Sequence, residues 1–147
     1  MKLITALVFA AITTLPAQAA DRAADTNFVL KCVGCHLTDG SGLPSAGIPD
    51  FVDQVGVFAA LPEGRAYLLH VPGVIGSSLS DAEIADVLNY VMDTWAGPSL
   101  PEHYTPFTPA EVAELKAQNV GNAVKYRRLV VERLKLLGLD AADYPWP

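Results

Sequence analysis

The chain has 147 residues, 51% of them hydrophobic and 18% charged, with a net charge of −6. That length suits one domain with a buried core. The acidic balance argues against a nucleic acid partner.

The N-terminus reads Met1-Lys2, an apolar run from Leu3 to Leu15, Pro16, and then Ala17-Gln18-Ala19. A charged start, a short apolar run and a small-x-small site are the layout of a secretory signal peptide. The run is too short to span a bilayer comfortably, an uncleaved anchor being the alternative. Residues 1–19 are therefore expected to be a signal peptide, with export to the periplasm and a mature chain from Ala20 or Asp21. No later stretch has the length and apolarity of a membrane span. Without Lys2 the net charge becomes −7, and it is unevenly spread. From Ala20 to Ala110, Arg22, Lys31 and Arg65 face eleven acids, whereas from Glu111 onward six bases face five acids.

Asp21 or Asp25 is expected to cap a first helix running to Cys32. Phe28 lies four residues before Cys32, on the same helical face. The run Cys32-Val33-Gly34-Cys35-His36 is a CxxCH motif, the attachment site of a c-type haem. Two thiols three residues apart at a helix end face one side, where each adds to one haem vinyl group. His36 then lies under the ring as proximal iron ligand. A zinc half-site would need further ligands of matching spacing, and the chain has no other cysteine. A dithiol redox pair would sit near a βαβ unit, whereas the flanks read helical.

Residues 37–49 are rich in Gly, Ser and Pro and read as a loop. A backbone carbonyl near Pro44 is expected to accept the second ring N–H of His36. Phe51, Val52, Val55 and Phe58 have a helical rhythm up to Leu61. Pro62 opens a short helix to His70, which Val71-Pro72-Gly73 stops. Val74 to Leu79 reads as irregular.

Ser80-Asp81-Ala82-Glu83 is a capping box. Ile84, Val87, Leu88, Val91 and Trp95 then recur at helical spacing up to Gly97-Pro98. Residues 98–108 form a Pro-rich connector with Tyr104 and Phe107. Thr108-Pro109-Ala110-Glu111 is a second capping box, opening a helix to about Gln118. A last helix runs from about Gly121 to Leu137, with Val124, Leu129, Val130 and Leu134 expected to pack inward and Gly138 as its stop. Strand-like alternation is nowhere sustained, so the fold class is all-α.

The run Cys32 to Pro49 resembles the start of a class I monohaem cytochrome c. Leu79 through Val91 resembles that family's last core helix. The resemblance covers about Asp21 to Gly97, leaving residues 98–147 as an added connector and helical hairpin on a 20–97 haem domain. It implies a cytochrome c-like fold in which the two helices cross at Phe28 and Tyr90, with Val87 and Val91 facing the haem edge. It also implies one covalent haem c held by Cys32, Cys35 and His36. The family supplies a Met as second iron ligand in the loop before its last helix, and His70 to Leu79 contains none. His70, close to that position, is the expected second ligand. Met92, His103 and an open site are the alternatives, Met92 being expected to turn toward solvent or the hairpin because it is offset about 100° from Val91.

These residues point to an exported carrier of single electrons, not an enzyme, possessing a redox protein partner with a basic docking patch. It would act, for one, as acceptor for a dehydrogenase. The alternative is a haem enzyme or gas sensor with an open or displaceable sixth iron site.

Overall fold

In the computed structural model, which describes residues 22–144, the regular elements are helical, and the all-α class is what the chain adopts. Among these residues no strand forms, and an isolated bridge joins Leu43 to Ile48. The signal peptide reading over 1–19 and a cap at Asp21 lie outside the described residues.

Helix α1 spans Ala24–Lys31 and has no side-chain cap. Asp25 lies in its first turn instead, where a carboxylate complements the helix dipole. One residue later α2, Val33–His36, continues the spiral, because Cys32 N–H bonds to the Phe28 carbonyl at 2.8 Å and His36 N–H to the Cys32 carbonyl at 2.8 Å. The two cysteines therefore stand on adjoining helical turns.

A six-residue 3₁₀ segment, Val55–Ala60, replaces the α-helical turn expected there. Helix α3 is Pro62–His70, as Pro62 at its first position predicts. Pro72, expected only to stop α3, also starts a short turn of its own, α4, at Pro72–Ile75. Its fixed φ suits a helix start as well as it blocks a helix interior.

Helix α5, Asp81–Trp95, begins with the expected capping box, Glu83 N–H donating to Ser80 Oγ at 3.2 Å and Ser80 N–H to Glu83 Oε2 at 3.0 Å. It crosses α1 at Phe28, which is 2% exposed. The Phe28 ring lies 5.7 Å from Tyr90, the expected pair, and 4.7 Å from Trp95. Buried Asn27 adds a polar tie, donating from Nδ2 to Glu83 Oε1 at 3.3 Å and accepting at Oδ1 from Arg22 Nε at 2.8 Å.

Helix α6, Pro109–Lys116, is capped by Thr108, but Glu111 does not complete the box. Its carboxylate instead takes both Nε (2.6 Å) and Nη2 (2.7 Å) of Arg65 on α3, whose guanidinium also stacks on Phe107 at 3.8 Å. A bidentate, partly buried pair outweighs the second half of a cap. Helix α7, Ala123–Leu136, ends before Gly138, whose φ of +72° suits glycine. Its inward stripe is Arg127, Val130 and Leu134, all buried, at i, i+3 and i+7. Leu129, expected inside, is 46% exposed, and Val124 is partly buried. Val112, Val130 and Leu134 join the same apolar core as Phe28 and Leu69, so residues 98–144 pack onto the preceding helices.

Asn89 on α5 fastens the connector. Its Oδ1 accepts Phe107 N–H at 2.7 Å and the Tyr104 hydroxyl at 2.8 Å, while Nδ2 donates to the Phe107 carbonyl at 2.9 Å. Asn89→Ala strips these partners from a part-buried backbone. It should lower unfolding free energy by about 2 kcal/mol in guanidinium titrations. An unchanged midpoint would mean that the connector is held without it.

Candidate functional site

The turn after His36 determines what surrounds it. Leu37 takes φ of 58°, a costly conformation for a branched side chain, and Gly40 and Gly42 follow with φ of 79° and 64°. A Cβ on Gly42 would approach the Pro49 carbonyl oxygen to 2.5 Å, and one on Gly40 would approach the Trp95 ring to 2.9 Å. Glycine therefore lets the loop double back on α2 and α5. Phe51 N–H bonds to the Gly40 carbonyl at 2.9 Å, and the Phe51 ring stacks on His36 with centroids 3.9 Å apart and planes at 15°.

Cys32, Cys35 and His36 line one cavity of about 320 Å³. Its other walls are largely apolar: Pro49 and Phe51 from the loop, Val55 and Phe58 from the 3₁₀ segment, and Tyr67 and Leu68 from α3. Val71 to Val74, the Val87, Leu88, Val91 and Met92 face of α5, and Ala142 and Tyr144 complete it. Burial pushes His36 down to about 4, the Pro49 carbonyl working weakly against it. Its imidazole is therefore neutral, the form that ligates iron, around neutral pH. Its Nδ1 is buried without a hydrogen-bonding partner, the nearby Pro49 carbonyl lying outside bonding geometry. The carbonyl closest to the role expected near Pro44 is that of Pro49, five residues along the same loop, and it does not complete the bond. The Cys32 thiol is pushed up by burial and by its neighbour Cys35, and the two are not joined in a disulfide.

This donor set fits a covalent haem. Two thiols lie on one side, a neutral imidazole with an orphaned second nitrogen lies beside them, and the walls suit a flat apolar ring. Among the described residues, no group of three or more His, Cys, Asp or Glu side chains is placed to hold a metal ion in the manner of a zinc site.

His70 is not on the cavity wall. Its Nδ1 lies 2.8 Å from the Ala66 carbonyl and its Nε2 2.8 Å from the Gln118 carbonyl, so both nitrogens face backbone oxygens between α3 and the α6–α7 link. The expectation of His70 as an iron ligand rested on its place in sequence. As the last residue of α3 it points toward the C-terminal helices instead. Exposed His103 is likewise off the wall. Met92 is 1% exposed and lines the cavity, contrary to the expected outward turn. Leu88 stands one turn before it on the same face, and α5 buries an arc wide enough to include both. Sequence reasoning also missed the Phe51 stack and the Tyr67 and Tyr144 contributions. An aromatic two residues after Pro49 was a usable signal for the first. Tyr144, far along the chain, carried none.

No protein-family model matches the chain. It is 32% identical over 124 residues to cytochrome c-552 of Thermus thermophilus, with 72% of this chain and 91% of that protein covered. A second cytochrome c-552, from a further strain of Thermus thermophilus, matches at the same 32% identity with 80% of its length covered. The matched 72% is more than the 97 residues that precede Pro98, so the similarity reaches into the C-terminal segment.

The stacked Phe51 ring is the local support of His36. Phe51→Ala should destabilise the loaded protein by about 2 kcal/mol, less than a fully buried Phe because the ring is only half-buried. Guanidinium unfolding followed in the visible absorption checks this, and an unshifted midpoint would show that the ring gives His36 no support.

Proposed function

The chain belongs to the c-type cytochromes, and on that premise we propose that it passes single electrons between exported redox proteins through one haem c. The observation that carries this reading is the convergence of Cys32, Cys35 and His36 on one apolar cavity. In it Cys32 and Cys35 hold the haem by thioether bonds and His36 is the proximal ligand. The bound haem supplies an iron that exchanges one electron without a change of substrate. The chain's own residues keep this site dry and rigid. Phe51 fixes the plane of His36, the Pro49 carbonyl is the acceptor toward which Nδ1–H turns, and α5 closes one wall with Val87, Val91 and Met92. No helix among the described residues is long and apolar enough to cross a membrane.

Several finer features belong to the same proposal. The protein works in the periplasm, after loss of residues 1–19. Its acidic stretch before Glu111 steers a partner with a basic patch toward the haem region, with a salt-dependent rate. A dehydrogenase is a fitting donor. Residues 20–97 form the haem domain, and the connector and helical hairpin added after it lend Ala142 and Tyr144 to the cavity.

A second reading, a sensor or enzyme with an open or displaceable sixth position, is favoured by one observation. His70 is engaged elsewhere, and no second imidazole lines the cavity. For the carrier, the Met92 thioether on the cavity wall is the proposed sixth donor.

Intact mass after denaturation should exceed the processed chain by one haem, and a bare-chain mass would overturn the whole reading. A carrier should show low-spin spectra in both oxidation states and take up carbon monoxide slowly. Met92→Leu should then abolish any near-infrared Met–iron band and open the iron to carbon monoxide, whereas His70→Ala should leave the spectrum unchanged. Rapid carbon monoxide binding by the unaltered ferrous protein, with neither variant changing it, would instead favour the sensor. A spectrum lost in His70→Ala would return that residue to the iron.

A further inference from the structure

Arg127 is a buried cation for which the described residues supply no paired acid. It is 4% exposed, on the inward stripe of α7. Arg22, Arg65, Lys116 and Arg133 each pair with a carboxylate, but among the described residues none pairs with Arg127. One nitrogen, Nη2, donates to the Ala142 carbonyl at 2.5 Å, and Tyr67 is within hydrogen-bonding reach. Its Nε is buried with no acceptor among the described residues. A guanidinium does not deprotonate to escape this, so the position calls for an anion.

The neighbours of Arg127 say where that anion comes from. Its guanidinium carbon lies 4.6 Å from the Tyr144 ring centroid and 5.6 Å from that of Phe58. Phe58, Tyr67, Ala142 and Tyr144 all line the haem cavity, so Arg127 stands directly behind that stretch of wall. Haem brings two carboxylates on flexible arms, attached at the edge away from the vinyl-derived carbons. Bonding at Cys32 and Cys35 therefore directs the propionates away from α1 and α2. It also directs them away from the cavity's exposed cation, Lys31, which immediately precedes Cys32.

We propose that Arg127 is the internal counter-charge of one haem propionate, which meets its guanidinium beside Tyr67 and Tyr144. The inference rests on the haem reading above. It gives the C-terminal helix a function at the redox centre. A cation that neutralises a propionate near iron disfavours the ferric state, so Arg127 holds the reduction potential up.

The test combines midpoint potentials with the structure of the holoprotein. Intact mass is measured first on each protein, so a bare chain in the unaltered protein would count against the haem reading and not against this inference. Arg127→Gln should lower the midpoint potential, and Arg127→Lys, which keeps the charge, should restore most of it. Arg127→Gln that lowers the denaturation midpoint without moving the potential would reduce Arg127 to a clasp on the Ala142 carbonyl and overturn the inference. Should Arg127→Gln fail to mature, the crystal structure of the unaltered holoprotein decides. A propionate oxygen within hydrogen-bonding distance of Arg127 is expected, and both propionates beyond that distance would overturn it.

Discussion

The structure depends on filling one cavity. Helices α1 to α5, the 3₁₀ segment Val55–Ala60 and the C-terminal tail all give it walls, with α6 and α7 packed behind them, so the apolar residues meet around it and not only against each other. At about 24 cal/mol per Å³, leaving 320 Å³ unfilled would cost up to roughly 8 kcal/mol, an upper bound because the cavity opens to solvent. That is comparable with the whole stability of a small domain. The haem of a c-type cytochrome is thus a core component as well as a redox group. The paired thiols make its retention independent of that balance, because a covalent ligand cannot dissociate.

Around this centre, polar side chains decide how the helices are registered. Asn27 joins α1 to the capping box of α5, Asn89 fastens the connector, and Arg65 gathers α3, Phe107 and α6. Each fills hydrogen bonds that an irregular connection would leave unmade, which is how a Pro-rich segment lies firmly on a helical core. Arg127 is the member of this class whose bonds are not completed by groups of the described residues. It joins the C-terminal helix to the chemistry of the cavity, and so to how readily the centre gives up an electron.

Carrier and sensor differ by one ligand on this scaffold. His36, Phe51 and the α5 wall are common to both. What separates them is the stretch from Val71 to Leu79, which turns through α4 and contains neither His nor Met. A short turn of Pro, Gly and Val brings apolar atoms to the cavity and no strong donor. The burden of a sixth bond therefore falls on α5 or on an external ligand.

The sequence by itself determined the helical class, the capped α5 and the CxxCH turn, while the Phe28–Tyr90 crossing was implied by the resemblance to a known family. The first three are local matters, governed by periodicity at 3.6 residues, by caps within one turn and by a motif five residues long. The reading failed wherever a side chain had a choice of neighbours from distant segments. Glu111 left its cap for Arg65, 46 residues away. Leu129 and Met92 exchanged their expected inside and outside, because the width of a buried face depends on how many elements pack against it. His70, near the family's ligand position in sequence, was drawn to the carbonyl of Gln118. Arg127 is one of six bases after Glu111 in the sequence, and only the tertiary structure showed it buried behind the cavity. The physical reason is the same in each case. Backbone conformation is settled by near neighbours, whereas the pairing of a charge, an imidazole or a thioether is settled by whatever group the folded chain brings within a few ångströms.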